Sequence, residues 1–303
     1  MPTRANTLIA DATIRLAAAG VDSAQADAQW LLAHALRTDR GRLPLVDEVD
    51  DANAARFTEL VARRERREPL QHIIGRVEFA AGDAVVELAV GPGVFIPRPE
   101  TELLLEWAIG AAPAGALVAD FCAGSGALGI GLATARPDVR VLVVELADSA
   151  RGWLRRNIAA QPIDVAARLA VVAADVTEPD ALAAAIEEQA GPLGWPVGAR
   201  LDLIVANPPY VPTVTGGTPT EVEPEVAADP HQAVFGGVDG MSVIAPMLAA
   251  MRALGAPGTG VGIEHDDTTG GAVADALTAA GFDRVHQRTD LAGTQRFVTA
   301  VQG

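Results

Sequence analysis

Hydrophobic and polar positions change period twice along this chain. Over the first ~70 residues apolar positions recur at helical spacing, in three segments punctuated by capping residues, glycine and proline. Residues 7–19 form the first and stop at Gly20. Ser23 is read as the N-cap of the second, which runs to Leu36 with Trp30, Leu31 and Leu32 on its apolar face. Asp51 is read as the cap of the third, which reaches Glu68 and is stopped by Pro69. These three predict a small helical bundle, in which His34 is a packed or surface side chain and not a ligand. Between Arg76 and Val94 the period falls to two around Ala81-Gly82-Asp83, which predicts a β-hairpin. Pro99 then opens a helix over residues 100–109 with acids in its first turn.

From residue 116 onward short apolar runs alternate with helical ones. Strands are predicted at 116–121, 139–144, 169–172, 201–206, in a run ending at Glu264, at 284–288 and at 295–301. Helices are predicted at 127–135, 148–160, 242–254 and 271–280. Such alternation builds an α/β domain whose largely parallel sheet is covered on both faces. The stretch 211–240, rich in Pro and Glu, is expected to be a long structureless loop at the sheet's functional edge, where it would help cover a substrate.

Composition narrows the picture. With 303 residues, 50% apolar and 20% charged, the chain is globular and long enough for two domains. Its single cysteine excludes an intrachain disulfide and a cysteine-rich metal site, which fits a reducing cytoplasm. Residues 1–19 carry Arg4, Asp11 and Arg15 inside an amphipathic pattern, so neither a signal peptide nor a membrane span is expected there. The formal charge is −16. Residues 1–90 hold 11 Arg against 14 acids and residues 91–303 hold 12 Arg against 25 acids, with no lysine anywhere. A chain so acidic is poorly suited to neutralising phosphates, so direct nucleic-acid binding is not expected. The run Arg63-Arg64-Glu65-Arg66-Arg67 is read as a solvated helix face with acidic neighbours, the alternative being a partner contact.

Two segments carry candidate chemistry. After the strand at 116–121 comes Cys122-Ala123-Gly124-Ser125-Gly126 and then a helix. In this strand, turn and helix, Gly124 and Gly126 permit positive φ and close backbone approach, and the helix offers unpaired amides. The next strand ends at Glu145, placed to accept from ribose hydroxyls, and Asp120 adds a second acid. With the full G-x-G-x-x-G spacing of a pyrophosphate binder read as absent and no lysine for a phosphate loop, a phosphate-free nucleoside cofactor bearing a positive sulfonium suits this acid-lined cleft better than a dinucleotide. The second segment, Asn207-Pro208-Pro209-Tyr210, follows the strand at 201–206. Its prolines withhold two backbone donors. The Asn207 carbonyl and a neighbouring backbone carbonyl form two acceptors matched to a planar NH2 group, which the Tyr210 ring can cover. The bland alternative is a strand-ending turn with a half-buried aromatic.

Together these segments resemble the class I S-adenosylmethionine methyltransferases, and more closely the PrmC/HemK family of N5-glutamine methyltransferases that modify peptide chain release factors. Two further stretches are similar to that family's markers: Phe95-Ile96-Pro97-Arg98-Pro99-Glu100-Thr101-Glu102, and Pro69-Leu70-Gln71-His72-Ile73-Ile74-Gly75 between its domains. The Arg-Pro-Glu-Thr form favours the release-factor branch over the sister family that acts on a ribosomal protein. The resemblance covers nearly the whole chain. It implies a Rossmann-like seven-stranded, mostly parallel sheet, with an N-terminal helical substrate-recognition domain (1–75), a hairpin linker (76–95) and a catalytic domain (96–303).

The implied reaction moves a methyl group from S-adenosyl-L-methionine to the glutamine amide nitrogen in the Gly-Gly-Gln motif of class 1 release factors, by a monomeric cytoplasmic enzyme without a metal. Cofactor contacts are expected from Asp120, Cys122, Ala123, Gly124, Ser125, Gly126, Glu145, Asp175, Val176 and Asn207. Catalysis and substrate binding are expected from Asn207, Pro208, Pro209 and Tyr210. Phe95 and Arg98 would border cofactor or substrate, unless Arg98 simply pairs with Glu100 or Glu102. Two departures stand out. Cys122 occupies a position often Gly in the family, and Val176 one often aromatic. Because exocyclic amino groups of adenine and cytosine are also planar NH2 donors, base methylation is the competing activity, and a cofactor-binding module without transfer activity is the third reading.

Overall fold

The computed structural model describes residues 3–191, 194–196 and 198–303. They divide into two compact units. One takes the chain up to Arg76 together with Val222–Ala228, and the other takes Val77–Glu221 and Asp229–Gly303.

The first unit contains β1 (Thr3–Arg4), α1 (Ala5–Ala18), α2 (Ala24–Leu36), a 3-10 turn (Arg40–Leu45), β2 (Glu48–Val49), α3 (Asp51–Glu65) and α4 (Leu70–Ile74). Leu16, Leu31, Leu32, Phe57 and Val61 pack its core. Both predicted caps need correction. Asp50, one residue before Asp51, accepts from the Asn53 amide at 2.8 Å. Ser23 sits at the N-cap position of α2, but its hydroxyl donates to the Asp27 carboxylate at 2.8 Å and leaves the helix amides alone.

Asp27 is buried because it serves Arg64, and here the expected solvated arginine face also fails. Arg64 is 6% exposed. Its Nε donates to Asp27 Oδ2 at 2.7 Å and its Nη1 to Glu225 Oε1 at 2.6 Å, while Arg67 holds Glu225 through two bonds of 2.7 and 2.6 Å. Arg63 pairs with Glu68, and Glu65 accepts two bonds from Arg15. A guanidinium fork can satisfy a buried carboxylate on both oxygens, which allows charge inside this small unit. Glu225 is why residues 222–228 belong to it.

The second unit begins at the second residue of β3 (Arg76–Ala81), which forms a hairpin with β4 (Ala84–Ala89). It continues with α5 (Thr101–Ala111), β5 (Leu117–Phe121), α6 (Ala127–Ala135), β6 (Arg140–Val144), α7 (Asp148–Ala159), α8 (Ile163–Ala166), β7 (Leu169–Val172), α9 (Pro179–Ala190) and β8 (Leu203–Ala206). After β9 (Val214–Thr215), β10 (Thr218–Pro219), α10 (Pro224–Ala227) in the first unit, and α11 (His231–Val234) come α12 (Ile244–Leu254), β11 (Gly260–Glu264), α13 (Gly270–Ala279), β12 (Phe282–Thr289) and β13 (Gln295–Gln302). Phe79, Ala81, Val86 and Leu88 of the hairpin lie in the same hydrophobic cluster as α5, α6 and one face of the sheet. The other face is covered by α9, α12 and α13.

The seven strands run in the order β12-β13-β11-β8-β5-β6-β7, parallel except where β13 pairs antiparallel with β11 and β12. Chain order reverses between β5 and β8, the switch point at which open α/β sheets leave a crevice beyond their carboxyl ends. Register aligns that edge. Phe121 lies opposite both Val144 and Ala206, Val144 opposite Val172, and Ala206 opposite Ile263. The next residues in each strand, Cys122, Glu145, Asn207 and Glu264, therefore stand in one row.

Residues 211–240 are not the structureless loop expected from composition. They contain β9 and β10, two short helices and a parallel bridge between Val211 and Phe235. Glycine makes this order possible. A Cβ on Gly236 would lie 2.5 Å from the Pro209 carbonyl oxygen, and one on Gly240, at φ +77°, would lie 2.3 Å from that of Tyr210. Only a residue without a side chain lets this segment press against the end of the Asn-Pro-Pro-Tyr stretch.

Candidate active site

A cleft of about 320 Å³ opens at the carboxyl ends of β5, β6, β7 and β8, a size typical of small-molecule sites. Its floor is the turn after β5. Gly124 and Gly126 adopt φ +56° and +93°, and Cys122 adopts +60°, a left-handed conformation that a side chain opposes. The turn is tied from several sides. The Ala123 amide donates to the Val144 carbonyl at 2.9 Å, and the Gly124 amide to Glu145 Oε2 at 2.8 Å. Buried Asn157 donates to the Ser125 carbonyl at 2.9 Å while exchanging two bonds with the Ala89 backbone.

Gly129 was overlooked in the motif reading. With Gly124 and Gly126 it completes G-x-G-x-x-G, so glycine spacing does not separate a nucleoside cofactor from a dinucleotide here. Its role is packing, since a Cβ there would lie 2.3 Å from Val143. The carboxylates carry the distinction. Burial pushes Asp120 up to about 8, and Glu145 adds to the rise while the Gly129 amide, donating to Asp120 Oδ2 at 2.9 Å, opposes it. The other oxygen, Oδ1, is buried without a partner among the described residues. Flanked by Glu145 and Asp175, the Asp120 carboxyl would be favoured in its ionised form by a ligand with amino or sulfonium charge, whereas a pyrophosphate would be repelled.

Of the expected cofactor residues, Asp120, Cys122, Ala123, Gly124, Ser125, Glu145, Asp175, Val176 and Asn207 line the cleft, and Gly126 lies behind it as the N-cap of α6. Glu145 is already engaged, accepting from the Gly124 and Ala147 amides at 2.8 Å each. Asp175 accepts from the Thr177 amide and hydroxyl. Val176 is buried and apolar. Burial and then Glu145, Asp120 and Asp175 push the Cys122 thiol well up, away from the reactive thiolate.

At the cleft's far wall Asn207 directs its Nδ2 to the Thr101 hydroxyl at 3.1 Å, and Oδ1 has no hydrogen bond among the described residues. Pro209 lines the cleft with Asn207, while Pro208 is buried. Tyr210 lines a second, polar cavity of about 310 Å³ alongside Arg98, Glu264, His265 and Arg296. Its hydroxyl donates to Glu264 Oε1 at 3.0 Å. Burial pushes Glu264 up to about 7, opposed by the hydroxyls of Thr101 beside it and of Tyr210.

Arg98 pairs with neither Glu100 nor Glu102. It donates to buried Asp229 at 2.6 Å and stacks over Phe95, and Asp229 also accepts from the Ile96 amide. Thr101, Asp229 and Glu264 were given no role by sequence reasoning. For Glu264, the one available signal was an acid at the carboxyl end of a central strand.

The chain resembles known proteins along nearly its whole length. Residues 7–75 match the family model of the PrmC N-terminal domain. The release factor glutamine methyltransferase of Mycolicibacterium smegmatis is 44% identical over 303 residues, spanning 99% of this chain and 98% of that protein. Its counterpart in Mycobacterium tuberculosis is 43% identical over 294 residues, spanning 95% and 88%. A solved release-factor-specific protein-(glutamine-N5) methyltransferase from Alicyclobacillus acidocaldarius is 25% identical, covering 70% of this chain and 98% of that one at a TM-score of 0.40. On the identity and coverage of the full-length relatives, this chain belongs to the release factor glutamine methyltransferase family.

Proposed function

We propose that this protein transfers a methyl group from S-adenosylmethionine to the side-chain amide nitrogen of the glutamine in the Gly-Gly-Gln motif of class 1 release factors. The observation that carries the reading is the single row of strand ends, which sets the free Asn207 carbonyl oxygen at the wall of an acid-lined cleft. Asp120, Glu145 and Asp175, with the turn 122–126 and Val176, would hold the cofactor. Bound there, S-adenosylmethionine supplies an electrophilic methyl group on its sulfonium sulfur.

The protein's own contribution is placement. A glutamine amide is a poor nucleophile because its nitrogen lone pair is delocalised into the carbonyl, so in-line approach must be enforced. Asn207 Oδ1 and the Pro208 carbonyl would accept the two amide hydrogens, aim the nitrogen at the methyl and stabilise the positive charge it gains as the N–C bond forms. The nitrogen then sheds one proton, which is acidic once the methyl is attached, so no dedicated base is required. The Tyr210 ring, tethered through its hydroxyl to Glu264, would bound the amide plane.

The helical unit at 1–75 is assigned to substrate recognition, and the enzyme to the cytoplasm as a monomer. Among the described residues no helix is long and apolar enough to cross a membrane. The acidic catalytic unit argues against base methylation, and the Arg98-Pro99-Glu100-Thr101 stretch supports a release factor over a ribosomal protein.

Mass spectrometry of a purified release factor incubated with the protein and S-adenosylmethionine tests the reading, with a Gln→Asn release factor and DNA oligomers in parallel. A methyl-mass gain on the Gly-Gly-Gln peptide, absent from the Asn form, is expected. Labelled DNA beside unmodified release factor would overturn it.

A further inference from the structure

Two stretches of chain that line the cleft lie outside the seven-stranded sheet, so strand register does not place them. One supplies Phe95 and Pro97, the other Pro230, Gln232 and Ala233. A single carboxylate joins them. Asp229 accepts from the Ile96 amide on Oδ1 at 3.2 Å and from Arg98 Nη2 on Oδ2 at 2.6 Å. Its side chain is fully buried, and the Arg98 guanidinium that reaches it also lies 5.2 Å from the centre of the Phe95 ring.

We infer that Asp229 and Arg98 are positioning residues for the cofactor, a clasp that fixes the Phe95 and Pro97 side of the cleft to its Pro230 to Ala233 side at the width S-adenosylmethionine requires. The inference rests on the cleft as the cofactor site and adds what holds two of its walls together. Backbone outside helices and strands opens readily unless something ties it. A wall that must be ordered on binding subtracts that ordering from affinity, whereas one already held in the free protein does not. Arg98 extends the tie to a ring, because its planar cation can meet Asp229 at its edge while its face covers Phe95.

The charge does not serve the fold. Burial pushes Asp229 from 3.8 up to about 6, although Arg98 and the Ile96 amide oppose the rise. A carboxyl whose pKa is raised by folding makes the ionised folded state costlier, so stability falls as pH rises from about 4 to 6 and stays lower above it. An acid kept where its charge weakens the fold, with its two donors on one wall and its own chain neighbours on the other, points to a task in the cleft.

The test measures affinity without turnover. Calorimetric titration of the full-length protein with S-adenosylhomocysteine, the demethylated product, reads the cleft, and thermal unfolding of the same samples reads the fold. Asp229→Asn can still accept from the Ile96 amide but turns an NH2 group toward Arg98. Arg98→Met keeps the length of the side chain and removes its charge, and Arg98→Lys keeps a charged donor. Asp229→Asn and Arg98→Met are each expected to raise Kd about tenfold, the scale of one lost hydrogen bond to a charged group, with Tm no lower in Asp229→Asn. Arg98→Lys should stay within about threefold of wild type. Because both changes open one clasp, the double variant Asp229→Asn/Arg98→Met should bind no more weakly than the weaker single.

Kd within twofold of wild type in Asp229→Asn and Arg98→Met would overturn the inference. So would losses of affinity that follow falling Tm across the set, which is what a merely structural pair would give. If Asp229→Asn does not fold, Arg98→Met and Arg98→Lys decide. The two levels separate in the wild-type protein. Absence of S-adenosylhomocysteine binding would remove the cofactor from this cleft and the clasp's task with it, whereas binding beside an unmethylated release factor would fault the proposed acceptor alone.

Discussion

Removing the carboxylate of Glu225 should loosen the helical unit by on the order of 2–3 kcal/mol, and Glu225→Gln is the clean way to do it. Burial of this side chain, 15% exposed, favours its neutral form, but Arg67 and Arg64 outweigh that and bring its pKa from 4.5 to about 2. A difference of about 2.5 units corresponds to roughly 3 kcal/mol of folding free energy. Gln can still accept one bond and Arg64 keeps Asp27 at 2.7 Å, so part of the interaction survives.

The sign with pH follows from the lowered pKa. The contribution is fully present above about 4.5 and is lost as pH falls toward 2, so the gap between wild type and Glu225→Gln should stay constant from pH 7 to 5.5 and shrink by more than half by pH 3. Hydrogen exchange followed by mass spectrometry on peptides from α2 and α3 reads this unit alone, and 2 kcal/mol amounts to roughly thirtyfold faster exchange. Equal exchange at pH 7, within about threefold, would show that residues 222–228 merely rest on the helices and that the reasoning from burial and pairing is wrong.

Three further outcomes are expected. Asn207→Ala should reduce kcat/KM for release factor by roughly a hundredfold, about 3 kcal/mol, with the cofactor still binding in a calorimetric titration. Gly240→Ala, whose Cβ would meet the Tyr210 carbonyl oxygen at 2.3 Å from a φ of +77°, should displace the motif and abolish turnover, at a cost of about 1–3 kcal/mol in a denaturation curve. Cys122→Gly should be neutral or up to about 1 kcal/mol stabilising in thermal unfolding, since relief of the left-handed strain offsets the entropy of an added glycine, whereas the β-branched Cys122→Val should destabilise.

Most of the sheet could be read from the chain because its strands are short apolar runs bounded by Gly, Pro or acids. β7 and α6 fall at their expected residues, and the other strands start or end within two. α9 was missed for the converse reason. Its buried side rests on Leu182 and Ile186 in an alanine-rich run, too little contrast to declare a period. The rest failed where order is made by partners remote in sequence. Arg64 looked like one charge in a solvated run, yet its partner Glu225 is 161 residues away. Arg98 looked local, and its partner Asp229 is 131 residues away. Those same two acids pin the segment that composition presented as loose. In the site, the strand ends could be aligned only after register was known, which is why Asn207 and the glycine turn were legible and the buried Glu264 that holds the Tyr210 hydroxyl was not.

The row of strand ends divides the cleft between two stretches of chain. The turn, Glu145 and Asp175 all precede residue 178, whereas Pro230, Gln232, Ala233, Ser242 and Val243 of the opposite wall all follow residue 229, with Asn207 between them. Choice of methyl acceptor and grip on the donor can therefore drift independently, and recombination between relatives could exchange one wall for another without retuning the cradle. Such an exchange has a hidden passenger. Any crossover that moves residues 211–243 also moves Glu225, so the incoming segment must find arginines at 64 and 67 waiting for it.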